Sequence, residues 1–591
     1  MDSAMTAAPG QAANEKSIRT VVRAAMRRCG ADRDAVLAVL IHVQDHLGHL
    51  PDEAIAALAS AMRLTHGEVA GVVSFYAFLH KEPYGLYDCR LADNIIERHA
   101  GNAALGERLC TLLKGGLGTL STTSCIGLSD QAPGALINGM PIPSLKDDRL
   151  EQVAHLMEKE TPVVRWPAAL RRIKPNVRRA ERILQQQAWQ GEALRKVTAQ
   201  GALAFLEELE RSGLRGMGGA GFPTARKWRS VREATMAERV VVCNADEGEP
   251  GTFKDRVLLQ RHADALFEGM TICGWCVGAR QGFVYLRGEY RYLLPILQRK
   301  LAARRRHGLL GQGILGMEGF DFDIQIRLGA GAYVCGEESA LLESLEGKRG
   351  IPRPRPPYPV EAGFQGLPTV VNNVETLSAV CLVATHGGAW YAAVGTTASR
   401  GTKLFSVSGD CSRPGVYELP MGTPLQELLR LAGARRTQAV QMGGASGALV
   451  APHDFGEPIA FEGLPPGGSV MIFDESRSIS AIVHNFASFF AHESCGFCTP
   501  CRVGTRLQRD LLHRFILGQG DAAALQELKE LGLLMGRASH CGLGQSAGRA
   551  VGDALQHFPG HFPLTTQDVL LPMEAALEQA YALRQAGGQG S

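Results

Sequence analysis

The sequence lacks the features that mark secreted and membrane-spanning proteins. The amino terminus has no basic region followed by an apolar run, so we predict no signal peptide. The longest uncharged stretch, Thr376 to Ser399, is interrupted by His386 and two glycines and is too polar to cross a membrane. Without an export signal, the 14 cysteines are expected to be thiols or metal ligands and not disulfides. We therefore expect a cytoplasmic protein with no direct membrane insertion.

An excess of charge of either sign is also missing. The chain has 62 Lys+Arg against 59 Asp+Glu, so nothing indicates a nucleic-acid partner. Its 591 residues are too many for one hydrophobic core and suggest roughly three to five domains. Glycine, in contrast, is abundant at 69 residues, and much of it is clustered where backbone must approach another group closely.

The pattern of apolar residues predicts a multidomain α/β protein and divides the chain into segments. These are a small polar tail at 1–16, predicted to be disordered; a helical bundle at 17–80; short strands and helices at 81–155; an Arg-rich linker at 156–200; a glycine-rich region of strands and helices at 201–400; a β-rich module at 401–475; and a second helical bundle at 476–591.

Four cysteines near the carboxyl terminus give the strongest chemical signal. Cys495, Cys498 and Cys501 follow the spacing C-x-x-C-x-x-C, and Cys541 comes later in the chain. Three thiolates at this spacing can bind three corners of an iron–sulfur cubane, and a distant fourth completes the set. Structural zinc is an alternative, although zinc sites more often pair two C-x-x-C units, and inert buried thiols are a third possibility. We predict a [4Fe–4S] cluster.

A glycine-rich loop at residues 213–228 contains the pattern G-x-G-x-x-G at Gly216, Gly218 and Gly221. In a Rossmann unit this pattern follows a strand, whereas here it follows residues with helical spacing, so an ordinary Rossmann dehydrogenase is not predicted. The exposed peptide groups and the nearby Lys227 still suit a phosphate and a flat ring. A loop that serves only packing is the alternative.

Polar side chains follow several apolar segments of the glycine-rich region. Asn244, Asp246 and Glu249 come directly after a predicted strand, where α/β sheets place ligand groups. A second glycine loop at 329–336 runs into a helix with acids in its first turn, and Asn372 and Asn373 open another helix. Exposed turns, the helix dipole and N-capping explain these residues one at a time. Together they favour a flavin site.

These motifs closely resemble the NADH-binding flavoprotein subunits of respiratory complex I and their soluble relatives. The resemblance rests on GLRGMGGAGFPTARKW, CNADEGEPGTFKDR, GAYVCGEESALLESLEG, VVNNVETL and CGFCTPC with CGLGQ. It implies a Rossmann-like FMN/NAD(H) domain at 201–400, a ubiquitin-like β-grasp (SLBB-type) module at 401–475 and a [4Fe–4S] helical bundle at 476–591. The first 150 residues resemble the thioredoxin-like small flavoprotein subunit of the same complexes, fused in front.

The resemblance also assigns site residues. Arg355 stands where many relatives have Lys, and Ser230 stands where some have an aromatic residue that helps to hold adenine. The cluster ligands would be Cys495, Cys498, Cys501 and Cys541, and no protein acid or base is expected to catalyse hydride transfer. The predicted FMN residues are Gly216, Gly218, Lys227, Asn244, Asp246, Tyr333, Gly336, Glu337, Asn372, Asn373 and Thr376, and the predicted NAD(H) residues are Phe222, Glu249, Glu338, Arg355 and Tyr358.

One departure from the family concerns the thioredoxin-like segment at 81–155. Its relatives bind [2Fe–2S] through a C-x4-C pair and a C-x3-C pair. Here only Cys89 and Cys125 remain, with Asn94 and Ser129 at the other two positions. Neither replacement side chain can supply a thiolate. We predict that this cluster is absent and that the domain is a scaffold.

The fused arrangement is most similar to the diaphorase subunits of soluble NAD-reducing [NiFe] hydrogenases. It implies exchange of hydride between NAD(H) and FMN and of single electrons with the [4Fe–4S] cluster. The partners would be an iron–sulfur electron-transfer subunit and the [NiFe] subunits of a hetero-oligomer. The alternatives are the NADH-side subunit of a formate dehydrogenase or of a complex I-type NADH dehydrogenase, and, in another class, a non-redox adaptor stapled by zinc.

Overall fold

The computed structural model describes residues 15–186 and 190–565. Most of the predicted tail at 1–16 lies outside the described residues, and the first helix already begins at Glu15. Among the described residues, no helix is long and apolar enough to span a membrane. The mixture of helices and three sheets confirms the predicted α/β architecture.

The amino-terminal segment folds as a bundle of four helices with an apolar interior. Val22, Leu40, Ile55 and Val69 lie inside this bundle. The capping box predicted at Thr65 is present, because its Oγ1 accepts a hydrogen bond from the backbone N–H three residues ahead at 3.2 Å. The helices are α1 Glu15–Cys29, α2 Val36–Leu47, α3 Asp52–Met62 and α4 His66–Phe75.

A four-stranded sheet of order β2-β1-β3-β4 follows. The first two strands are parallel, and the last two form an antiparallel hairpin around Asn138 and Gly139. Both glycine and asparagine tolerate the positive φ found at these two positions. The elements are β1 Tyr87–Ala92, α5 Ile95–His99, α6 Asn102–Leu112, β2 Gly118–Thr123, β3 Ala135–Ile137, β4 Met140–Ile142 and α7 Asp147–Glu158.

The glycine-rich region is built on a parallel sheet of order β8-β7-β6-β9. Strands β6 and β9 are neighbours in register, so Asn244 pairs with Asn373 at their carboxyl ends. The elements are β5 Val177–Arg179, α8 Glu192–Gln200, α9 Ala202–Ser212, α10 Thr224–Glu233, β6 Val240–Ala245, α11 Lys254–Arg261, α12 Ala263–Val277, β7 Gln281–Leu286, α13 Leu294–Arg306, β8 Asp323–Leu328, α14 Glu338–Leu345, α15 Pro359–Ala362, β9 Thr369–Asn373, α16 Val374–His386 and α17 Gly388–Ala392.

The next module is a six-stranded sheet of order β13-β12-β14-β10-β11-β5 that packs on helix α18. Its edge strand β5 comes from the segment predicted as a linker at 156–200, and it pairs in parallel with β11. The elements are β10 Thr402–Gly409, β11 Gly415–Pro420, α18 Leu425–Ala432, β12 Thr437–Met442, β13 Ala448–Val450 and β14 Ser469–Asp474.

The carboxyl-terminal segment is mainly helical, and its last described helical turn is Pro559–His561. A continuous apolar core joins it to the amino-terminal bundle and to the sheet of the glycine-rich region, with Phe486, Tyr76 and Phe283 among its members. This shared core fixes the position of the cysteine-bearing helices relative to the glycine loops. The helices are α19 Ile479–Glu493, α20 Thr499–Ile516, α21 Ala522–Ala538, α22 Gly542–Ser546 and α23 Arg549–His557.

Candidate functional site

Four cysteines converge on one small pocket between the carboxyl-terminal helices. Cys495 and Cys498 lie in the turn that joins α19 to α20, Cys501 lies in the first turn of α20, and Cys541 directly precedes α22. The structure therefore brings together all four cysteines that the sequence predicts as cluster ligands. The other residues that line the pocket are Pro352, Ser494, Phe497, His540 and Leu543.

The pocket favours thiolates that are bound to metal. Cys498 directly precedes the amino terminus of α20, where the helix dipole favours negative charge. Burial, and then the neighbouring cysteines, raise the pKa of Cys501 to about 11. Without a cation this thiol is protonated at neutral pH. A donor set of four thiols fits a cubane, and this geometry alone also fits zinc.

The parallel sheet brings the predicted flavin residues together at its carboxyl edge. Asn244 is the next-to-last residue of β6, and its Nδ2 donates to the carbonyl of Gly336 at 2.8 Å. Asn372 is the next-to-last residue of β9, and its Oδ1 accepts a hydrogen bond from the Trp228 indole at 2.8 Å. Two segments that are far apart in sequence therefore meet because β6 and β9 are neighbours.

The glycine loop lies directly against this edge. A Cβ placed on Gly218 would be only 3.2 Å from the Cβ of Asn373, so a side chain there would press on it. The backbone N–H of Met217 donates to Thr376 Oγ1 at 2.9 Å. The Nζ of Lys227 lies 3.0 Å from the carbonyl oxygen of Val371. The loop follows helix α9, as the sequence predicted, and not a strand.

Asp246 has a buried oxygen that could contact a polar ligand at this edge of the sheet. Its Oδ2 is buried without a hydrogen-bond partner among the described residues. Burial raises the pKa of this carboxyl well above its ordinary value, although Arg287 opposes the shift. An unpaired buried polar atom is costly, and it normally indicates a ligand or an ordered water. The carboxyl, the asparagines and the bare glycine backbone together fit the polar edge and the phosphate of FMN.

The two acids of the second glycine loop have different local partners. Glu337 caps α14, because its Oε2 accepts from the backbone N–H groups of Ser339 and Ala340 at 3.0 Å. Glu338 pairs with Lys227 at 3.0 Å. The Nη1 of Arg355 lies 3.5 Å from Glu337 and 3.8 Å from Glu338. Glu337 is thus an N-cap residue, while Glu338 lies between the cations Lys227 and Arg355.

The predicted NAD(H) residues differ in exposure. Phe222 and Tyr358 are 44% and 50% exposed, which suits stacking on a ligand that enters from solvent. Glu249, in contrast, is partly buried, and its Oε2 accepts a hydrogen bond from Tyr333 Oη at 2.7 Å. The same carboxylate also accepts from the backbone N–H and the Oγ of Ser446, at 3.0 and 2.8 Å.

Sequence reasoning missed several residues that complete the site. Ser446 belongs to the six-stranded module, and only the glycines around it gave a signal. Glu493 ends α19 just before the cluster cysteines, accepts from the backbone N–H of Tyr333 at 3.1 Å and bonds Ser124 Oγ. Asp255 accepts from Asn373 at 2.7 Å. No local pattern marks these contacts, since each joins distant parts of the chain.

The two cysteines of the thioredoxin-like segment are both buried. Cys89 lies in β1. The Sγ of Cys125 lies 4.0 Å from the Oγ of Ser129. The side chain of Asn94 caps α5 and accepts two backbone hydrogen bonds at 3.1 Å. The segment therefore offers two thiols, a hydroxyl and a capping amide where a [2Fe–2S] ligand set has four thiolates.

Four protein families match consecutive parts of the chain. The thioredoxin-like [2Fe-2S] ferredoxin family matches residues 22–158, and the Nuo51 FMN-binding domain matches residues 209–382. The SLBB domain matches residues 404–448, and the NADH-ubiquinone oxidoreductase-F iron-sulfur binding region matches residues 481–564. These matches confirm the domain types expected from the resemblance. The first family's description conflicts with the prediction that [2Fe–2S] is absent.

Individual proteins give the same result over most of the chain. The NAD-reducing hydrogenase HoxS subunit alpha of Cupriavidus necator is 40% identical, over 90% of this chain and 92% of its own length. An NADH-quinone oxidoreductase subunit of Rhizobium meliloti is 42% identical over 61% of this chain and 87% of its own length. A crystal structure of an NAD+-reducing [NiFe]-hydrogenase in the H2-reduced state superimposes with a TM-score of 0.85 at 42% identity, and it covers 95% of this chain and 97% of its own.

Proposed function

Since this chain belongs to the family of NAD-linked FMN and iron–sulfur subunits shared by NAD-reducing hydrogenases and complex I, we propose that it is the diaphorase subunit of an NAD+-reducing [NiFe] hydrogenase. It is an NAD(H)-linked flavin and iron–sulfur oxidoreductase. The structural observation that carries the flavin and iron–sulfur chemistry is the carboxyl edge of the parallel sheet. There the unpaired Asp246 carboxyl, two asparagines and a glycine loop come together, and Tyr333 of the second glycine loop contacts α19, the helix that leads to the cysteines.

The flavin site would be formed by three sets of residues: the first glycine loop with Lys227, the strand ends, and the second glycine loop. Gly216 and Gly218 allow close approach, Lys227 supplies positive charge, and Asn244, Asp246, Asn372, Asn373 and Thr376 supply hydrogen bonds around the strand ends. Tyr333, Gly336 and Glu337 close the second loop. When bound, FMN supplies the exchange of a hydride with NAD(H) and of single electrons with an iron–sulfur centre. The protein binds and orients the flavin and excludes water from it.

The nucleotide would enter over the exposed rings of Phe222 and Tyr358. Glu338 and Arg355 lie at the same opening, and Arg355 adds a cation that suits a phosphate. Glu249 is held by Ser446, so the SLBB module would help to shape the nucleotide side of the site.

The chain segments around the cluster pocket contact the proposed flavin and nucleotide residues. The Nε2 of His540 lies 3.2 Å from the carbonyl oxygen of Pro352, in the extended segment that leads to Arg355. The rings of Tyr333 and Phe489 pack edge to face at 4.9 Å. We propose that Cys495, Cys498, Cys501 and Cys541 hold the [4Fe–4S] cluster here. A zinc-stapled adaptor is disfavoured, because the families that match carry FMN and iron–sulfur.

The extent of the matches favours a hydrogenase over the other redox assemblies. The complex I-type relative aligns with 61% of this chain, whereas the hydrogenase subunit aligns with 90% of it. The relatives of this chain are subunits of multi-subunit complexes. We propose an iron–sulfur electron-transfer subunit and [NiFe] subunits as its partners in a cytoplasmic hetero-oligomer. An NAD-dependent formate dehydrogenase or a complex I-type NADH dehydrogenase is the second candidate.

The thioredoxin-like domain would serve as a scaffold without its cluster. The matching family is described as a [2Fe-2S] ferredoxin, which opposes this part of the proposal. The residues of this chain support it, because Asn94 is committed to capping α5 and Ser129 offers only a hydroxyl.

Purification of the native complex tests the proposed function. We expect yellow flavin absorbance, FMN on extraction, acid-labile sulfide and reduction of NAD+ by H2. A colourless chain with zinc on its cysteines would contradict the redox function. A coloured complex that carries molybdenum and oxidises formate, with no nickel, would replace the hydrogenase assignment by the second candidate.

A further inference from the structure

Four buried charged side chains connect the SLBB module to the flavin edge of the sheet. Lys254 and Asp255 lie in the first turn of α11, Glu375 lies in the first turn of α16, and Lys403 lies in β10. No side chain of the four is more than 3% exposed. Two positive and two negative charges are therefore enclosed together, away from solvent.

An unbroken series of ion pairs joins these side chains. Lys254 Nζ lies 2.7 Å from Asp255 Oδ1 and 2.9 Å from Glu375 Oε2. Lys403 Nζ lies 2.5 Å from that same Glu375 oxygen. The backbone N–H of Leu404 donates to the other oxygen at 2.8 Å. Because an isolated buried charge is strongly disfavoured, each of the four depends on its partners.

The series ends on a residue of the proposed flavin site. Asp255 Oδ2 accepts a hydrogen bond from Asn373 Nδ2 at 2.7 Å, and Asn373 Oδ1 accepts from the backbone N–H of Glu375 at 2.9 Å. These two bonds fix the orientation of the Asn373 amide. If the amide were rotated by 180°, its N–H group would face the Glu375 N–H and its oxygen would face the Asp255 carboxylate. The glycine loop passes close to the same side chain, because a Cβ added at Gly218 would lie 3.2 Å from the Cβ of Asn373.

We propose that Asp255 and Lys403 are positioning residues of the flavin site, which act on FMN through Asn373 and make the SLBB module part of that site. The inference rests on the FMN-binding function proposed above. Asp255 holds the amide so that its second N–H and second lone pair remain available to the ligand. Lys403 holds Glu375, and Glu375 in turn holds both Lys254 and the start of α16.

The same two residues would influence the flavin potential in opposite directions. Reduction adds negative charge to the flavin, so a nearby buried anion disfavours it and a nearby buried cation favours it. Loss of correct positioning alone has no such dependence on sign. The sign of the potential shift therefore separates an electrostatic connection from simple loosening of the fold.

The test compares FMN dissociation constants and flavin midpoint potentials of the full chain with Asp255→Asn, Lys403→Met and the double substitution. We expect the potential to rise in Asp255→Asn, to fall in Lys403→Met and to return close to the native value in the double variant. All three should bind FMN more weakly, by roughly tenfold or more, since a charge-assisted hydrogen bond or its support is lost.

A matched control is available at Glu268, which is fully buried and pairs with Arg304 at 3.2 Å. Its hydrogen bonds go to Gly191, Leu194 and Arg304 and to none of the proposed flavin residues. Glu268→Gln should therefore leave FMN affinity and potential unchanged, although it also removes a buried carboxylate.

The inference is overturned if both single variants keep the native affinity and potential, or if their potentials shift in the same direction. If either single variant fails to fold, the double variant decides, because its two remaining buried charges, Lys254 and Glu375, still balance each other. Native FMN affinity in the double variant would overturn the inference. If the native chain itself binds no FMN, the proposed function fails as well, so the two failures are distinguishable.

Discussion

At the level of single residues, Lys227 is the clearest cation of the proposed flavin site. Its side chain is 16% exposed, and its Nζ lies 3.0 Å from both the Glu338 carboxylate and the Val371 carbonyl. One carboxylate only partly offsets the cost of burying this charge, so an additional anion at the site is favoured. A phosphate would be such an anion, and residues 218–220 of the glycine loop beside Lys227 are exposed.

Substitution of this residue should weaken flavin binding. We expect Lys227→Ala to raise the FMN dissociation constant by roughly tenfold to a hundredfold, because a charge-assisted contact is lost. Flavin absorbance of the purified chain, with and without added FMN, measures this. Arg229→Ala is the control, since Arg229 lies on the same helix and forms only a surface pair with Glu210. Full flavin content in Lys227→Ala would contradict the assignment.

Glu97 is a second residue with a measurable signature, in the thioredoxin-like domain. It is fully buried, and its Oε2 accepts from the backbone N–H of Gly134 at 2.9 Å. Burial raises its pKa to about 8, and the nearby Asp130 adds to the shift. The folded state therefore prefers the protonated acid, which the unfolded chain holds only below its ordinary pKa of 4.5.

This shift predicts a domain that loses stability as pH rises. The stabilisation is complete below pH 4.5 and is lost progressively up to about pH 8, by as much as roughly 5 kcal/mol. Glu97→Gln should remove most of this dependence. Amide hydrogen exchange of residues 95–145 at pH 5 and pH 8 provides the measurement. Glu107→Gln, an exposed acid in the same domain, should behave like the native chain; an unchanged slope in Glu97→Gln would refute the prediction.

Among the secondary-structure elements, helix α20 is organised around its first turn. Cys498 precedes the helix, Pro500 occupies its second position, where no hydrogen bond is lost, and Cys501 follows. The local sequence therefore forms both the helix start and the turn of the metal pocket. Cys541 enters from the start of α22 because α21 returns the chain to the same end of the bundle.

Removal of one ligand should separate the two redox sites. Cys498→Ser is expected to keep bleaching of the flavin by NADH, because the predicted flavin residues are untouched. Reduction of NAD+ by H2 in the assembled complex should fall to background. Cys110→Ser, at an exposed cysteine outside the pocket, is the control. Undiminished H2-linked activity in Cys498→Ser would exclude the pocket as the electron route.

Across the molecule as a whole, the thioredoxin-like domain is fastened to the flavin domain by buried polar contacts. Arg287 donates to the carbonyl of Cys125 at 2.7 Å, and Arg256 pairs with Asp130 at 3.0 Å with both side chains fully buried. These contacts would be lost if the domain moved. The domain therefore has a structural role, which under the proposal above is its only one.

Metal content checks this role. We expect about four iron and about four sulfide per isolated chain, which corresponds to one cubane. About six of each, together with a [2Fe–2S] signal in electron paramagnetic resonance, would show that the cluster is present. If the scaffold interpretation is correct, Cys125→Ser should leave the iron content unchanged.

Features that depend on neighbouring residues could be predicted before the fold was known. Helix periodicity and caps are local, so the amino-terminal bundle with its capping box at Thr65 was predictable. The spacing of Cys495, Cys498 and Cys501 is local as well. The glycine loop and the asparagines at 372 and 373 were visible as motifs, because each must form a specific backbone shape or cap.

The meeting of distant segments, in contrast, became visible only in the folded chain. Residues 156–200 were predicted to be a linker, yet β5 within them pairs with β11, and Glu418 accepts backbone hydrogen bonds from that segment at 2.8–3.0 Å. Ser446 against Glu249 and Lys403 against Glu375 likewise join different domains. Strand pairing and buried charge pairing depend on the whole chain being folded, and no periodicity or spacing within one segment encodes them.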